Sequence, residues 1–188
     1  MNFNNLFKQI SPEEVCDQYN VCTLFGKDCY AVTAGREDQY NSMVGSGGGL
    51  VIQFKKPATW CIFQSDRYTL ELIRKEQSYT LSFFPDKYKE QLMFLGSKSG
   101  RDSNKMQETA LTGIQTPSGN MAFSEAKLII ECKLTQSTLA KPEDFYSPQA
   151  IAYLKEAYQE VNDYRQYVFG EIIHVWVNNI KVSLLVNG

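Results

Sequence analysis

The chain has 188 residues, 43% of them hydrophobic and 13% aromatic, with 19 basic and 21 acidic side chains and a formal charge of −2. A chain of this length reads as a single domain over 1–188, and folding hides roughly 70% of its unfolded surface, so a full core is within reach. The near balance of charge supplies no field to gather nucleic acid or an anionic membrane, so any basic site has to be local.

The N-terminal MNFNNLFKQISPEE has no basic-then-apolar leader pattern, and no apolar run reaches the ~18 residues of a membrane span. A soluble, cytoplasmic protein is expected. Ser11-Pro12-Glu13-Glu14 spells a capping box with proline at the first helical position, which predicts a short helix to about Gln18. Residues 20–25 and 29–34 flank Gly26-Lys27-Asp28 and read as a hairpin. After a polar loop at 35–38, Leu50 to Phe54 and Ala58 to Phe63 are rich in β-branched and aromatic residues and predict neighbouring antiparallel strands, with Pro57 tolerated only at a strand start.

The period then changes from two to 3.6, and a short helix is expected from about Thr69. Ser78 to Phe84 reads as a strand. Pro85-Asp86 opens a helix that Gly96 stops. Ser99 or Asp102 offers a cap for a helix through about Ala110. Strands are expected at 121–123, at 126–137, from Tyr164 to Val177 and from Lys181 to Val186, with a helix over 150–161 between them. Seven or eight antiparallel strands interrupted by short helices favour a small barrel over a doubly wound parallel sheet.

The stretch from Asn41 to Thr69 organises the rest. Ser42, Ser46 and the amides of Gly45 to Gly49 are brought near Arg67 and Thr69 by two strands and a turn. Glycines let a backbone approach a ring closely, and a helix start with an arginine before it attracts an anion. The pair of features suits a flat, phosphorylated ligand. The glycine run itself is neither a Rossmann fingerprint nor a P-loop, and Ser46 is not a nucleophile elbow. Ser97-Lys98-Ser99-Gly100-Arg101 with Lys105 is a second polar cluster ahead of a helix. Five cysteines without a Cys-x-x-Cys pair, and a single histidine, predict free thiols and no metal centre. His174 reads as a polar position on a strand. No hydrolytic triad can be assembled, whereas cofactor-borne redox chemistry asks less of the side chains.

Taken together, Val32-Thr33-Ala34-Gly35, Asn41-Ser42-Met43, Ser46 with Gly48-Gly49, Lys56-Pro57, Arg67-Tyr68-Thr69, Thr80 to Phe84, Ser99-Gly100-Arg101-Asp102 with Lys105, and Gly170-Glu171-Ile172 resemble the flavoredoxin branch of the flavin reductase family. The match in order and spacing runs over about residues 28 to 177. The resemblance implies a mainly β fold, a six-stranded antiparallel FMN-binding split β-barrel of Greek-key type with short peripheral helices. It also implies a homodimer with FMN near the subunit interface.

By the same resemblance, Arg67, Thr69, Ser99 and Lys105 hold the phosphate, with Tyr68 and Gly100 in the same motifs. Asn41, Ser42, Met43 and Ser46 line the ring and ribityl chain, and the backbone at Ser82 and Phe83 meets the ring's polar edge. No catalytic side chain is implied. Val44 and Gly47 stand where relatives often have a hydroxyl and a tryptophan, and Arg165 stands where they often have histidine. The implied activity is electron transfer from NADH, NADPH or a redox protein partner through FMN. The alternatives are a flavin-binding carrier that does not react with a dinucleotide, and a barrel that has lost flavin and binds something else.

Overall fold

The longest apolar runs of the chain become the strands covered on both faces. The computed structural model describes residues 2–157 and 165–179. Its strands are β1 (Phe7–Ile10), β2 (Tyr30–Arg36), β3 (Gln39–Gly45), β4 (Gly48–Gln53), β5 (Lys56–Phe63), β6 (Ser78–Phe83), β7 (Gly113–Gln115), β8 (Met121–Phe123), β9 (Leu128–Leu139) and β10 (Gln166–Asn178). One antiparallel sheet runs in the order β3-β2-β6-β9-β10-β5-β4, with β1 added to β10, while β7 and β8 form a separate hairpin.

The two ends of that order, β3 and β4, are joined by Ser46 and Gly47 alone. So short a link forces the sheet to curl until its ends meet. The long strands make the curl possible. Pairing of β9 with β10 shifts register at Phe169/Gly170 and again at Ile172/His174, and such bulges bend a strand and increase its twist. The result is a barrel left open along the seam between β3 and β4.

Among the described residues the sheet holds eight strands, against the six expected. β5 pairs with residues 166–171 of β10, and the N-terminal β1 takes residues 175–178 on the edge that β5 leaves uncovered. The helices are α1 (Phe3–Leu6), α2 (Pro12–Gln18), α3 (Tyr68–Glu76), α4 (Lys89–Ser97), α5 (Lys105–Glu108) and α6 (Pro148–Ala157). The capping box of α2 forms as read. Ser11 Oγ accepts from the Glu14 amide at 3.3 Å, and the Glu14 carboxylate accepts from the Ser11 amide at 2.7 Å.

The first arm of the hairpin expected at 20–34 does not form. Thr23–Lys27 winds into a π-type turn, with the Thr23 amide donating to the Asn20 side chain and the Asp28 amide to the Thr23 carbonyl, both at 3.0 Å. Leu24 and Phe25 are neighbours and both are buried, which a strand with one wet face does not permit. The helix expected to begin at Ser99 or Asp102 shortens to Lys105–Glu108, because Ser99 instead builds a turn in which its hydroxyl accepts from the Arg101 amide. The expected strand at 181–186, the residue Tyr164 and the last residues of the helix expected over 150–161 lie outside the described residues.

Two cores result. Inside the barrel, Tyr30, Tyr79, Leu81, Phe83, Leu70 and Ile73 pack with the thiols of Cys61 and Cys132. Burial pushes the Cys61 thiol up to about 12 and Cys132 higher still, so both behave as small apolar groups. Outside it, Phe3, Phe7, Leu92, Leu95, Phe123, Ile129 and Trp176 pack between the sheet, α4 and the β7–β8 hairpin. His174 ties that hairpin down: its Nδ1 lies 3.0 Å from the fully buried carboxylate of Glu131, which also accepts from Thr116 at 2.7 Å and Asn120 at 2.6 Å. A buried carboxylate needs such partners. No helix among the described residues is long and apolar enough to cross a membrane.

Candidate functional site

The seam is held open by glycines packed against aromatic rings and backbone. A Cβ on Gly45 would stand 2.4 Å from the ring of Tyr30, and one on Gly48, at φ +137°, would stand 2.3 Å from the Trp60 carbonyl. The Tyr30 hydroxyl in turn donates to the Gly47 carbonyl at 2.8 Å, and the Gly47 amide to the Phe25 carbonyl at the same distance. Only Ser46 and Gly47 of the glycine run face the seam's mouth. At Gly47 a Cβ would meet nothing nearer than an Ile62 methyl at 4.0 Å. The run is therefore mostly a packing device, with one bare backbone step exposed to a ligand.

Beside the mouth, α3 begins. Its N-cap residue is Arg67, and no side chain caps the helix. Uncapped first-turn amides and the helix dipole together favour an anion there. Asn41 on β3 donates to Thr69 Oγ1 at 2.7 Å and locks the first turn of α3 to the barrel. Across from it lies the turn at 98–103. Asn41, Arg67, Tyr68, Thr69, Ser99, Gly100 and Lys105 line one cleft here, of about 420 Å³.

Gly100 is part of the lock. A Cβ there would lie 2.2 Å from Asn41 Oδ1, and Asn41 is buried and committed to Thr69. Replacing Gly100 with alanine is expected to lower unfolding free energy by about 1–3 kcal/mol in a urea titration, the usual effect of overpacking, and to weaken binding of a phosphorylated ligand. Unchanged ligand affinity in the folded variant would show that the lock does not shape the cleft.

The charges of this cleft sort themselves by partner. Arg101 is paired with Glu71 and donates to the Asp66 carbonyl at 2.9 Å. Lys98 is paired with Glu108. Lys105 is buried, and its ammonium donates to the carbonyls of Leu95 at 2.7 Å and Lys98 at 2.9 Å, closing the C-terminal end of α4. Burial first, and the nearby Arg67 charge second, pull its pKa down to about 8. The side chain of Arg67 is exposed and makes no hydrogen bond or ion pair among the described residues.

A second cleft of about 470 Å³ shares Met43, Val44 and Arg67 with the first. Its floor is Ser46, Gly47, Ile62 and Phe63, and its far wall is Tyr153 and Leu154 from α6 with Arg165 and Tyr167 at the start of β10. These wall residues lie some hundred positions along the chain from the seam, and no local pattern in the sequence points to Tyr153, Leu154 or Tyr167. Val44 packs toward α4, where a Cβ on Gly96 would be 3.1 Å from its methyl.

Three residues expected at the site do not reach either cleft. Ser42 is fully buried, its hydroxyl donating to the Val32 carbonyl at 3.1 Å and accepting from Thr33 at 3.0 Å. Ser82 pairs with Ala31 and Ile129, so its side chain shares their face and points into the outer core. Phe83 sits in the barrel core, 5.2 Å from the rings of Phe25 and Tyr30. β6 pairs with β2 through Thr80, Leu81 and Ser82 and with β9 along its whole length, and neither Ser82 nor Phe83 lines either cleft; the phenylalanine on the ring cleft's floor is Phe63.

FMN, the group the resemblance implies, fits the donor set that is present. A cleft with Arg67, Ser99, Thr69 and an uncapped helix start suits a phosphate monoester. The adjoining cleft, with Met43, Ile62, Phe63 and a glycine step, suits a planar ring. Among the described residues no three His, Cys, Asp or Glu side chains gather as a metal site.

The fold agrees with solved structures of low sequence identity. A flavoredoxin of Desulfovibrio vulgaris (Miyazaki F) is 18% identical over 81% of this chain and 70% of its own, with a TM-score of 0.61. A putative flavin reductase with a split barrel domain from Shewanella frigidimarina is 17% identical over 90% of this chain and 76% of its own, at 0.63. An FMN-binding protein from Thermus thermophilus, solved with p-hydroxybenzaldehyde, is 19% identical over 79% and 70%, at 0.60. No curated protein matches the sequence. Residues 24–187 match the flavin reductase like domain, a span that takes in the seam, both clefts and every strand from β2 onward, and the chain belongs to that family.

Proposed function

We propose that the chain binds FMN across the two clefts and passes electrons through it, from NADH or NADPH or from a redox protein. One observation carries the reading: Arg67, unpaired among the described residues, stands at the uncapped start of α3 where the two clefts meet. An anion seated there with a flat body extending toward Gly47 has the outline of a flavin mononucleotide.

Bound FMN supplies the redox chemistry, since a flavin accepts a hydride or single electrons. The chain's own part is binding and placement. Arg67, Thr69 and Ser99 hold the phosphate, while Lys105 adds charge and fixes the turn that carries Ser99. Met43, Ile62, Phe63 and Leu154 shield a ring from water. Among the described residues lining the ring cleft there is no carboxylate, imidazole or thiol, and electron or hydride transfer through a flavin asks for none.

The test is to titrate the protein with FMN and then add NADH or NADPH without oxygen. Retained flavin that loses its absorbance near ~450 nm supports the reductase reading. Flavin that is retained but bleached only by a reduced redox protein replaces that reading with an electron carrier. A protein that holds no FMN overturns both.

A further inference from the structure

A third cleft, of about 620 Å³, adjoins the phosphate cleft and shares Asn41, Tyr68, Gly100, Arg101 and Lys105 with it. It shares no residue with the ring cleft. Strand β3 runs beside all three. Ser46 and Gly47, just past its end, line the ring cleft, and Met43 and Val44 line the ring and phosphate clefts. Asn41 lines the phosphate and third clefts, and Gln39 and Tyr40 line the third alone. The clefts therefore lie end to end along β3, whose seven residues measure out about 20 Å. The FMN placed above ends at its phosphate, in the middle cleft.

Charge changes along that line. Arg101 and Lys105 stand at the boundary with the phosphate cleft, whereas Glu37, Asp38 and Asp102 line the third cleft only. Glu37 and Asp38 form the exposed turn between β2 and β3. Carboxylates at the far end repel a further phosphate and accept hydrogen bonds from sugar hydroxyls.

The third cleft also has a planar wall. The guanidinium of Arg101 lies over the Tyr68 ring at 5.6 Å, and the Tyr68 hydroxyl accepts from the Gln39 side chain at 3.3 Å. Arg101 is held further by Glu71 and the Asp66 carbonyl. These bonds use the N–H groups of the guanidinium and the hydroxyl of the ring, so a base that stacks on the wall displaces none of them. Asn104 stands at the N-cap of α5 without capping it through its side chain, and a carboxamide of this kind matches the paired donor and acceptor on the edge of adenine.

We infer that the third cleft is an adenosine subsite, and that the flavin this protein holds most tightly is the dinucleotide FAD. The FMN half stays where it was placed, with Arg67, Thr69 and Ser99 on its phosphate. The second phosphate passes the boundary beside Lys105, the ribose meets Glu37 and Asp38, and adenine stacks on Tyr68 and Arg101 with its edge toward Asn104. This inference rests on the flavin reading above.

The experiment titrates the full chain, stripped of flavin, with FAD and with FMN in a calorimeter. Wild-type protein is expected to bind FAD about tenfold or more tightly than FMN. Asn104→Ala, and Glu37→Ala combined with Asp38→Ala, change exposed side chains outside the phosphate cleft. Each is expected to lower the preference for FAD by about threefold or more and to leave FMN within about twofold of the wild type.

FAD that binds no more tightly than FMN to the wild type overturns the inference, and needs no variant to do so. So does a preference that survives both sets of substitutions, because the adenosine then lies elsewhere. Weakening of FMN in step with FAD overturns it too, since the cleft then serves the shared half of the two flavins. Protein that binds neither FMN nor FAD removes the flavin reading itself, a result distinct from these.

Discussion

Replacing Arg67 with alanine is expected to weaken FMN by about ten- to a hundredfold while riboflavin changes by less than about threefold. The two flavins share their ring and ribityl chain and differ in the phosphate, so the comparison isolates the anion contact. A charge-assisted hydrogen bond contributes about 1.5–3 kcal/mol, and every 1.4 kcal/mol is a factor of ten. The range needs no discount for a competing carboxylate, since Arg67 has none among the described residues, whereas Arg101 and Lys98 are drawn toward Glu71 and Glu108. The substitution leaves the fold intact, since Arg67 is exposed and its side chain caps nothing. Flavin fluorescence titrations of both ligands check it. Equal weakening of FMN and riboflavin would mean that the phosphate sits elsewhere.

Arg67, Thr69 and the helix they introduce were legible because the signal is local. The change of period at Leu70 marks α3, and an arginine ahead of a helix start reads as an anion trap without any knowledge of the fold. The hairpin of β4 and β5 was legible for the same reason, from two β-rich runs divided at Lys56-Pro57. The roles of individual glycines were not. Gly45 and Gly48 are required by the ring of Tyr30 and the carbonyl of Trp60, contacts that exist only once the strands have paired, and they left Gly47 as the one step facing a ligand.

Ser42 and Ser82 illustrate the converse. A serine's type says nothing about which face of a strand it occupies when both faces are covered, as they are around Ser42 on β3 and along β6. Tyr153 and Tyr167 were hidden by distance along the chain, because closure of the barrel rather than any motif carries them to the seam. Arg165 was visible as an arginine in a position where relatives carry histidine, but its left-handed backbone and its view of Arg67 belong to three dimensions.

Affinity for FMN is expected to fall by up to about tenfold between pH 8 and 9, while affinity for riboflavin stays nearly level. The group responsible is Lys105, whose pKa is drawn from 10.5 to about 8, mainly by burial and then by Arg67. Protonated Lys105 attracts the phosphate and neutral Lys105 does not, so affinity drops as pH rises through 8, with a limiting slope of one decade per pH unit. Binding runs the linkage in the other direction: the phosphate restores a higher pKa, and the complex takes up a proton above pH 8.

Folding stability is a poorer readout. A depressed folded pKa makes the contribution of Lys105 to stability greatest above 10.5 and progressively lost as pH falls to 8. Tyr30, Tyr79, Cys61 and Cys132 have raised values and lose stability as pH rises above their ordinary values of 9.0 for the thiols and 10.0 for the phenols, so the two trends oppose each other. Binding titrations of FMN and riboflavin at pH 7 to 9.5 avoid that conflict. Lys105→Met should abolish the step in the FMN profile and leave its affinity at every pH near the wild-type value reached at the alkaline end. A wild-type profile that is flat for FMN, or that falls equally for riboflavin, would place the ammonium of Lys105 in service of the Leu95 and Lys98 carbonyls alone.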